Sequence, residues 1–340
     1  MILPRERFPA TLAAAVVLLA LLALWSFTVG KFDVSLADTW RALWAAITGG
    51  DSGLARDAEA IVLQVRAPRV VAALAVGAAL AAAGASYQGL FRNPLVSPDI
   101  LGVTSGCALG AALAVLLSLP AGAIQFLAFV GGMIAVGLVL GVAALMRGRD
   151  TLLTLVLTGV VVGSAFGSAI ALAKSLADPY NQLPTITFWL LGSFTSVLPG
   201  DLLPTLLPIA VGVVPLVLLR WRVDVLGLSE DEARSLGLSV GALRLVVIAC
   251  ATLITAAAVA LAGTIGWVGL VIPHAARLLA GAAFARVLPL SLVLGAAFML
   301  GVDTLCRTAF ATEVPPGIVT AFVGTPAFIA LMALSFRRDA

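Results

Sequence analysis

Long apolar runs, most of them close to 20 residues, set the terms for this chain of 340 residues. They lie near 10–29, 69–91, 99–118, 122–146, 152–173, 202–219, 245–264, 266–280, 287–305 and 317–335. A helix of about 20 apolar residues crosses the roughly 30 Å hydrocarbon core of a bilayer. In lipid every backbone N–H and C=O must find its partner inside the protein, which restricts spanning segments to helices and closed barrels. The runs therefore predict an all-α polytopic membrane protein of about ten transmembrane helices. Charged residues make up 11% of the chain, against about 25% in soluble domains. No polar stretch is long enough to form a soluble domain, so 1–340 reads as one transmembrane domain. The run at 266–280 is short, and Pro273 within it predicts a broken or kinked helix.

The first run follows a basic start. It is longer than the usual signal-peptide core of about 7–15 residues, and no small-x-small cleavage site follows, so it reads as the first span. With Arg5 and Arg7 inside, ten spans return the C-terminus to the same side. Thirteen of the 20 basic residues then fall inside, in agreement with the positive-inside rule. The net charge of +3 is small and the basic residues sit at span ends, which argues against a nucleic-acid partner.

One polar island interrupts the pattern, WRVDVLGLSEDEARSLGLSVGALR at 221–244. Arg222, Asp224, Glu230, Asp231, Glu232 and Arg234 together would cost roughly 15 kcal/mol or more at the bilayer centre, so the island lies outside it. It is patterned for a short helix. Ser229 and Glu232 make an S-x-x-E capping box, Ala233 and Leu236 follow at helical spacing, and Gly237 stands where a helix ends. A small capped amphipathic helix at a membrane face is a handle for another protein.

Other residues carry open alternatives. Gly159, Gly163 and Gly167, flanked by Ser164 and Ser168, make one helix face nearly bare; this suits close helix packing or a smooth wall along a path. Arg66 and Arg69 bracket Pro68 and serve either as headgroup anchors or as a cationic docking site. Asp303 and Arg307 have the spacing of an intrahelical ion pair. The sole histidine, His274, reads as a polar group beside Pro273, and Cys107, Cys250 and Cys306 as small apolar side chains. NPLVSPDILG at 93–102 and EVPPGIVTAFVGTP at 313–326 are paired interruptions of the kind found in duplicated transporters. There is no phosphate-binding P-loop, no H-E-x-x-H and no catalytic triad candidate. The spans hold few acids, which disfavours a proton-driven carrier and leaves open an ion-coupled secondary carrier that holds sodium by backbone carbonyls.

RAPR at 66–69, QGLFRNPLVSPDILGVTSG at 88–106, FWLLGS at 188–193, LGLSEDEARSLGL at 226–238, GTIGWVGLVIPHAAR at 263–277 and EVPPGIVTAFVGTPAF at 313–328 carry a family resemblance. In this order, over nearly the whole chain, they resemble the permease subunits of type II ABC importers for iron-siderophores, haem and vitamin B12. The resemblance implies a ten-span permease, not an enzyme, in the bacterial inner membrane with both termini cytoplasmic. It implies a homodimer with the path between two copies, two ATPase subunits below carrying ATP and Mg, and a soluble substrate-binding protein outside. The chain itself would bind no cofactor and no metal. By the same resemblance the island is a pair of short helices contacting the ATPase through Leu226, Leu228, Ser229, Glu230, Glu232, Ala233, Leu236 and Gly237. Arg66, Arg69 and Arg307 match outer arginines that meet glutamates of the binding protein. The fifth and tenth spans would flank the path, with Gly159, Gly163, Ser164, Gly167, Ser168, Ala321, Gly324 and Thr325 as lining candidates. A ferric siderophore or haem is the expected cargo, with vitamin B12 open and a molybdate or other oxyanion branch not excluded by DPYNQLPTITFW at 178–189. Trp267 and Pro316 depart from the family pattern, where phenylalanine and a branched aliphatic are usual.

Overall fold

The computed structural model describes residues 8–30, 32–146, 151–226 and 230–339, with backbone alone at 151, 230, 231, 234 and 335–339. The described residues form helices joined by short links, without a strand. In chain order these are α1 Phe8–Thr28, α2 Leu36–Thr48, α3 Arg56–Ala60, a π-helical turn Ile61–Arg66, and α4 Ala67–Phe91. A 3₁₀ turn Pro98–Leu101 leads into α5 Val103–Leu116, followed by α6 Ala121–Leu145, α7 Thr151–Leu176, α8 Gln182–Leu191 and α9 Pro199–Leu218. The rest are α10 Arg220–Val225, α11 Glu230–Ser235, α12 Val240–Ala262, α13 Val268–Ala280, α14 Phe284–Thr308 and α15 Pro316–Asp339.

All ten apolar runs are helical. Eight described helices are long and apolar enough to cross a membrane, while α5 and α13, at 14 and 13 residues, are apolar but shorter. The helix at 266–280 is thus short, as expected, and α13 continues through Pro273. The segment 56–91 is one helical rod of 36 residues. At 1.5 Å per residue it is about 54 Å long, so its first turns project beyond the hydrocarbon.

α4 and α12 form the buried centre, whereas α1 and α7 expose most of their length. Lipid tails are as apolar as leucine, so spans associate by close packing of small residues and by interhelical hydrogen bonds. Both devices occur here. A Cβ on Gly77 of α4 would overlap the carbonyl of Gly295 in α14, and one on Gly295 would overlap that of Gly77. Gly106 of α5 and Gly131 of α6 are matched in the same way. Tyr87 and Thr252 share a 3.0 Å hydroxyl hydrogen bond between α4 and α12, and Ser26 and Thr304 share another between α1 and α14.

The two interruptions expected at 93–102 and 313–326 take different forms. The first segment is a break between α4 and α5 that seats against α13. Gln88 Nε2 donates to Val96 O at 3.0 Å and to Gly269 O at 3.3 Å, and a Cβ on Gly269 would meet the Pro98 ring. The second is a link that runs directly into α15, which continues past Pro326. The two interruptions lie at opposite ends of the bundle, because α4 ends beside the first and begins beside the second.

Candidate functional site at the two ends of the bundle

One end of the bundle carries a buried charge cluster. Arg69, in the first turn of α4, donates from Nε to both carboxylate oxygens of Asp303 at 3.0 and 3.1 Å. Its Nη1 donates to both oxygens of Glu313 at 3.1 Å each. Thr195, beyond α8, donates to Glu313 Oε2 at 2.7 Å. Arg69 thus joins α4 to the end of α14 and the link into α15, and Glu313 carries the connection on to the loop after α8. A cavity of about 240 Å³ opens beside it, lined by Phe188, Ser193, Thr195, Glu313 and Pro315 among others. Asp303 is fully buried. Burying a lone carboxylate is costly, and two facing arginine–carboxylate contacts offset that cost only because the hydrogen bonds are good.

The spacing rule expected Asp303 to pair with Arg307. That contact is the looser one, with Arg307 Nε 3.8 Å from Asp303 Oδ2. Arg307 instead ties α14 to α1, donating to Ser26 Oγ at 2.8 Å and to the carbonyls of Ser26 and Val29. Arg66 donates to the carbonyls of Phe27 and Phe32. All three arginines are buried and bonded within the chain, although Arg307 Nε, 3.8 Å from Asp303, is left without a hydrogen bond. Sequence reasoning missed Glu313, whose only local signal is an acid at the end of a long apolar stretch.

The other end carries the polar island. It folds as α10 and α11, the pair of short helices that the resemblance implied. Asp224 accepts the backbone N–H of Phe284 at 2.5 Å and of Ala285 at 3.1 Å, capping α14 from another part of the chain. Arg92, at the end of α4, donates to Leu226 O at 2.9 Å. Gly237 has a φ of 76°, and Leu238 N–H bonds Ala233 O at 3.2 Å, closing α11 as the glycine placement predicted. Leu226 and Ala233 face inward, whereas Glu232, Leu236 and Gly237 are exposed. Among the expected contact residues that are described, Leu226 and Ala233 hold the island to the bundle and Glu232, Leu236 and Gly237 face outward. Leu228 and Ser229 lie outside the described residues, as does the Glu230 side chain, so the expected capping box is not described.

The candidate path residues separate. Gly159 is buried with the Ile100 carbonyl against it, so packing takes that position; this corrects the lining reading for Gly159. Gly163 is half-buried and faces the Ser105 hydroxyl, whereas Ser164, Gly167 and Ser168 are exposed. In α15, Gly324 is buried under Trp267, where a Cβ would lie 2.7 Å from the tryptophan Cβ, which corrects its lining reading too. Trp267 itself has a φ of 71° and packs edgewise on Phe328 at 6.4 Å, with His274 beside the same ring at 6.0 Å. Ala321 is half-buried and Thr325 exposed.

The same two helices therefore connect both ends. α4 runs from Arg69 to Arg92 and α14 from its Asp224 cap to Asp303. α1 begins beside Trp221 and Arg286, on the island side, and α15 starts at the arginine end and returns toward the island. Such an architecture, many apolar spans with structured polar contacts at both ends of the bundle, is that of a multi-pass integral-membrane protein.

Comparison with known proteins makes that class specific. The profile of the FecCD transport family matches residues 18–334. The molybdate import system permease protein MolB of Haemophilus influenzae is 36% identical, with 95% of each chain covered. A Helicobacter pylori protein named "Probable iron chelatin transport system permease protein" is 41% identical, over 80% of this chain and 82% of that one. A solved structure described as "An inward-facing conformation of a putative metal-chelate type ABC transporter" superposes with a TM-score of 0.85 at 35% identity, covering 96% of this chain and 99% of that one. The chain belongs to the FecCD transport family. It is a multi-pass ABC transporter permease, a transport subunit rather than an enzyme.

Proposed function

We propose that this chain is the membrane-spanning subunit of an ATP-driven importer that moves a metal chelate from a soluble binding protein into the bacterial cytoplasm. The observation that carries this reading is the common framework of the two polar ends. α4 and α14 are locked at Gly77 and Gly295, begin or end at the Arg69–Asp303 cluster, and are held to the island through Arg92 and Asp224. A movement imposed on the island is delivered to helices that reach the opposite face.

In this reading the island faces the cytoplasm and meets one of two ATPase subunits, which hold ATP and Mg. Both termini lie on that side. The arginine end faces the binding protein, and two copies of the permease enclose the path. Exposed Leu236 and Glu232 supply the ATPase contact, and Arg66, Arg69 and Arg307 the docking charge. Because the arginines are bonded within the chain, docking would require them to share or exchange partners. Small, exposed Gly167, Ser164, Ser168 and Thr325 suit a weakly binding lining. A photo-crosslinker at Leu236 tests the assignment: capture of a nucleotide-hydrolysing subunit supports it, and repeated capture of none overturns it.

Two cargo classes are in view. The 41% identity to the iron chelatin permease and the likeness to a metal-chelate transporter support a ferric siderophore or haem, and vitamin B12 belongs to the same chelate class. The 36% identity to MolB over almost the whole chain supports molybdate. Proteoliposomes holding the complete transporter, supplied with ATP and either radioactive ferric chelate or molybdate, decide between them.

A further inference from the structure

Helix α2 presents three faces of different chemistry. Thr39, Ala42 and Ala45 are buried, and Ala42 packs in a small cluster with Val34 and with Val62 of the π-helical turn. Asp38, Arg41 and Thr48 form a polar edge, with Asp38 and Arg41 3.9 Å apart. Leu36, Trp40, Trp44 and Ile47 fall at i, i+4, i+8 and i+11 on one side and are 50, 62, 56 and 81% exposed. The two indole systems stack at 6.0 Å with an interplanar angle of 20°. The helix is closed at both ends. Ser35 accepts the Asp38 amide at 3.1 Å, and Gly49, with a φ of 70°, donates to Ala45 O at 2.8 Å. It is a defined element that leaves an aromatic side uncovered.

Its level in the molecule is fixed by its neighbours. α1 has 21 residues, about 31 Å of helix, which matches the hydrocarbon thickness. Thr28 therefore ends near a membrane–water boundary, and α2 starts at Leu36 shortly afterwards. Arg66 holds the connection in place through the carbonyls of Phe27 and Phe32. Val62, against which α2 packs, lies four residues before Arg66, about 6 Å further along the rod. This is headgroup depth. The neighbouring surface of α1, including Val17, Leu21, Leu24 and Trp25, is exposed and apolar, as a lipid-facing span requires.

We propose that α2 is an interfacial anchor, lying in the plane of the membrane with Trp40, Trp44, Leu36 and Ile47 in the headgroup–acyl boundary. Tryptophan favours that boundary because its ring is amphipathic, and a helix with one apolar side and one charged side lies flat in it. The polar edge then faces water and the third side faces the permease. α2 packs beside α1, whose Val17, Leu21, Leu24 and Trp25 are exposed and apolar, and this adjacency selects lipid over a protein partner as the occupant of the aromatic side. The anchor braces the turn that holds Arg66 and the start of α4. It does so whatever the cargo.

The test uses the full-length permease in vesicles of phosphatidylcholine and phosphatidylglycerol with bromine on the acyl chains at defined depths. The fluorescence of Trp40 and Trp44 is taken as the difference between the unmodified protein and the W40F/W44F variant, with thermal unfolding confirming that the variant folds. Bromine near the headgroup is expected to quench this difference signal about twofold more than bromine near the chain end, with weak quenching by aqueous iodide. Strong iodide quenching with none from brominated lipid places the face in water, free for a protein partner, and overturns the proposal. Equal quenching by lipid at both depths overturns the interfacial placement.

Discussion

Asp224 caps the helix that begins at Phe284, its Oδ1 2.5 Å from the Phe284 nitrogen. The carboxylate comes from α10 and the capped amides from α14, so the tie is tertiary although its chemistry is that of an ordinary helix N-terminus. It joins the polar island to the helix whose far end holds Asp303.

Removing this cap is expected to cost about 1 kcal/mol. Asp224→Ala should lower the unfolding temperature and, in the assembled transporter, loosen ATP hydrolysis from transport. Asp224→Asn keeps one accepting oxygen and should lie between the two. Identical behaviour of all three proteins in thermal unfolding and in ATP consumed per substrate moved would show that the tie has no role.

The Arg69–Asp303 pair should show strong coupling. Breaking a buried pair by removing one member costs about 3–5 kcal/mol, because the remaining charge is stranded. Arg69→Met or Asp303→Leu alone should destabilise severely, and the double variant should recover much of the loss. A double-mutant cycle measured by thermal unfolding in detergent checks this; additive losses would refute it.

Glu313 has a third of its side chain exposed, so its loss should affect stability less than that of Asp303. If Arg69 meets a carboxylate of the binding protein, Glu313 competes for the same guanidinium. Glu313→Gln should then tighten capture of the loaded binding protein, with the larger gain at low salt. An affinity that does not change at any ionic strength would remove Arg69 from the docking contact.

On the island, exposure separates contact from support. Leu236→Asp should leave the unfolding temperature unchanged and abolish ATPase binding, whereas Ala233→Asp, placing a charge at a buried position, should destabilise the permease itself. Pull-down of the ATPase alongside thermal unfolding distinguishes the two.

The glycines of α7 should also separate. Gly159→Val meets the Ile100 carbonyl and should cost about 1–3 kcal/mol, whereas Gly167→Val points into open space and should leave stability unchanged. If Gly167 lines the path, its variant should still slow uptake in proteoliposomes; a normal rate would take it off the path.

Much was legible before any coordinates. The apolar runs set the placement of the ten apolar helices, though not of α2, α3 or α8, because crossing a bilayer is a matter of length and composition along one stretch of chain. The ending of α11 at Gly237 followed from local backbone preferences. What the chain alone could not specify was which helix meets which. Asp303 found Arg69, 234 residues away, in preference to the nearby Arg307; Gly159 became a packing seat while Gly167 stayed open; and Glu313 joined a cluster no spacing rule would assemble. In a soluble protein a helix announces its buried side by being apolar there and polar elsewhere. A span in lipid is apolar on every side, so that signal is missing, and only the packing of the helices against one another decides which residues meet.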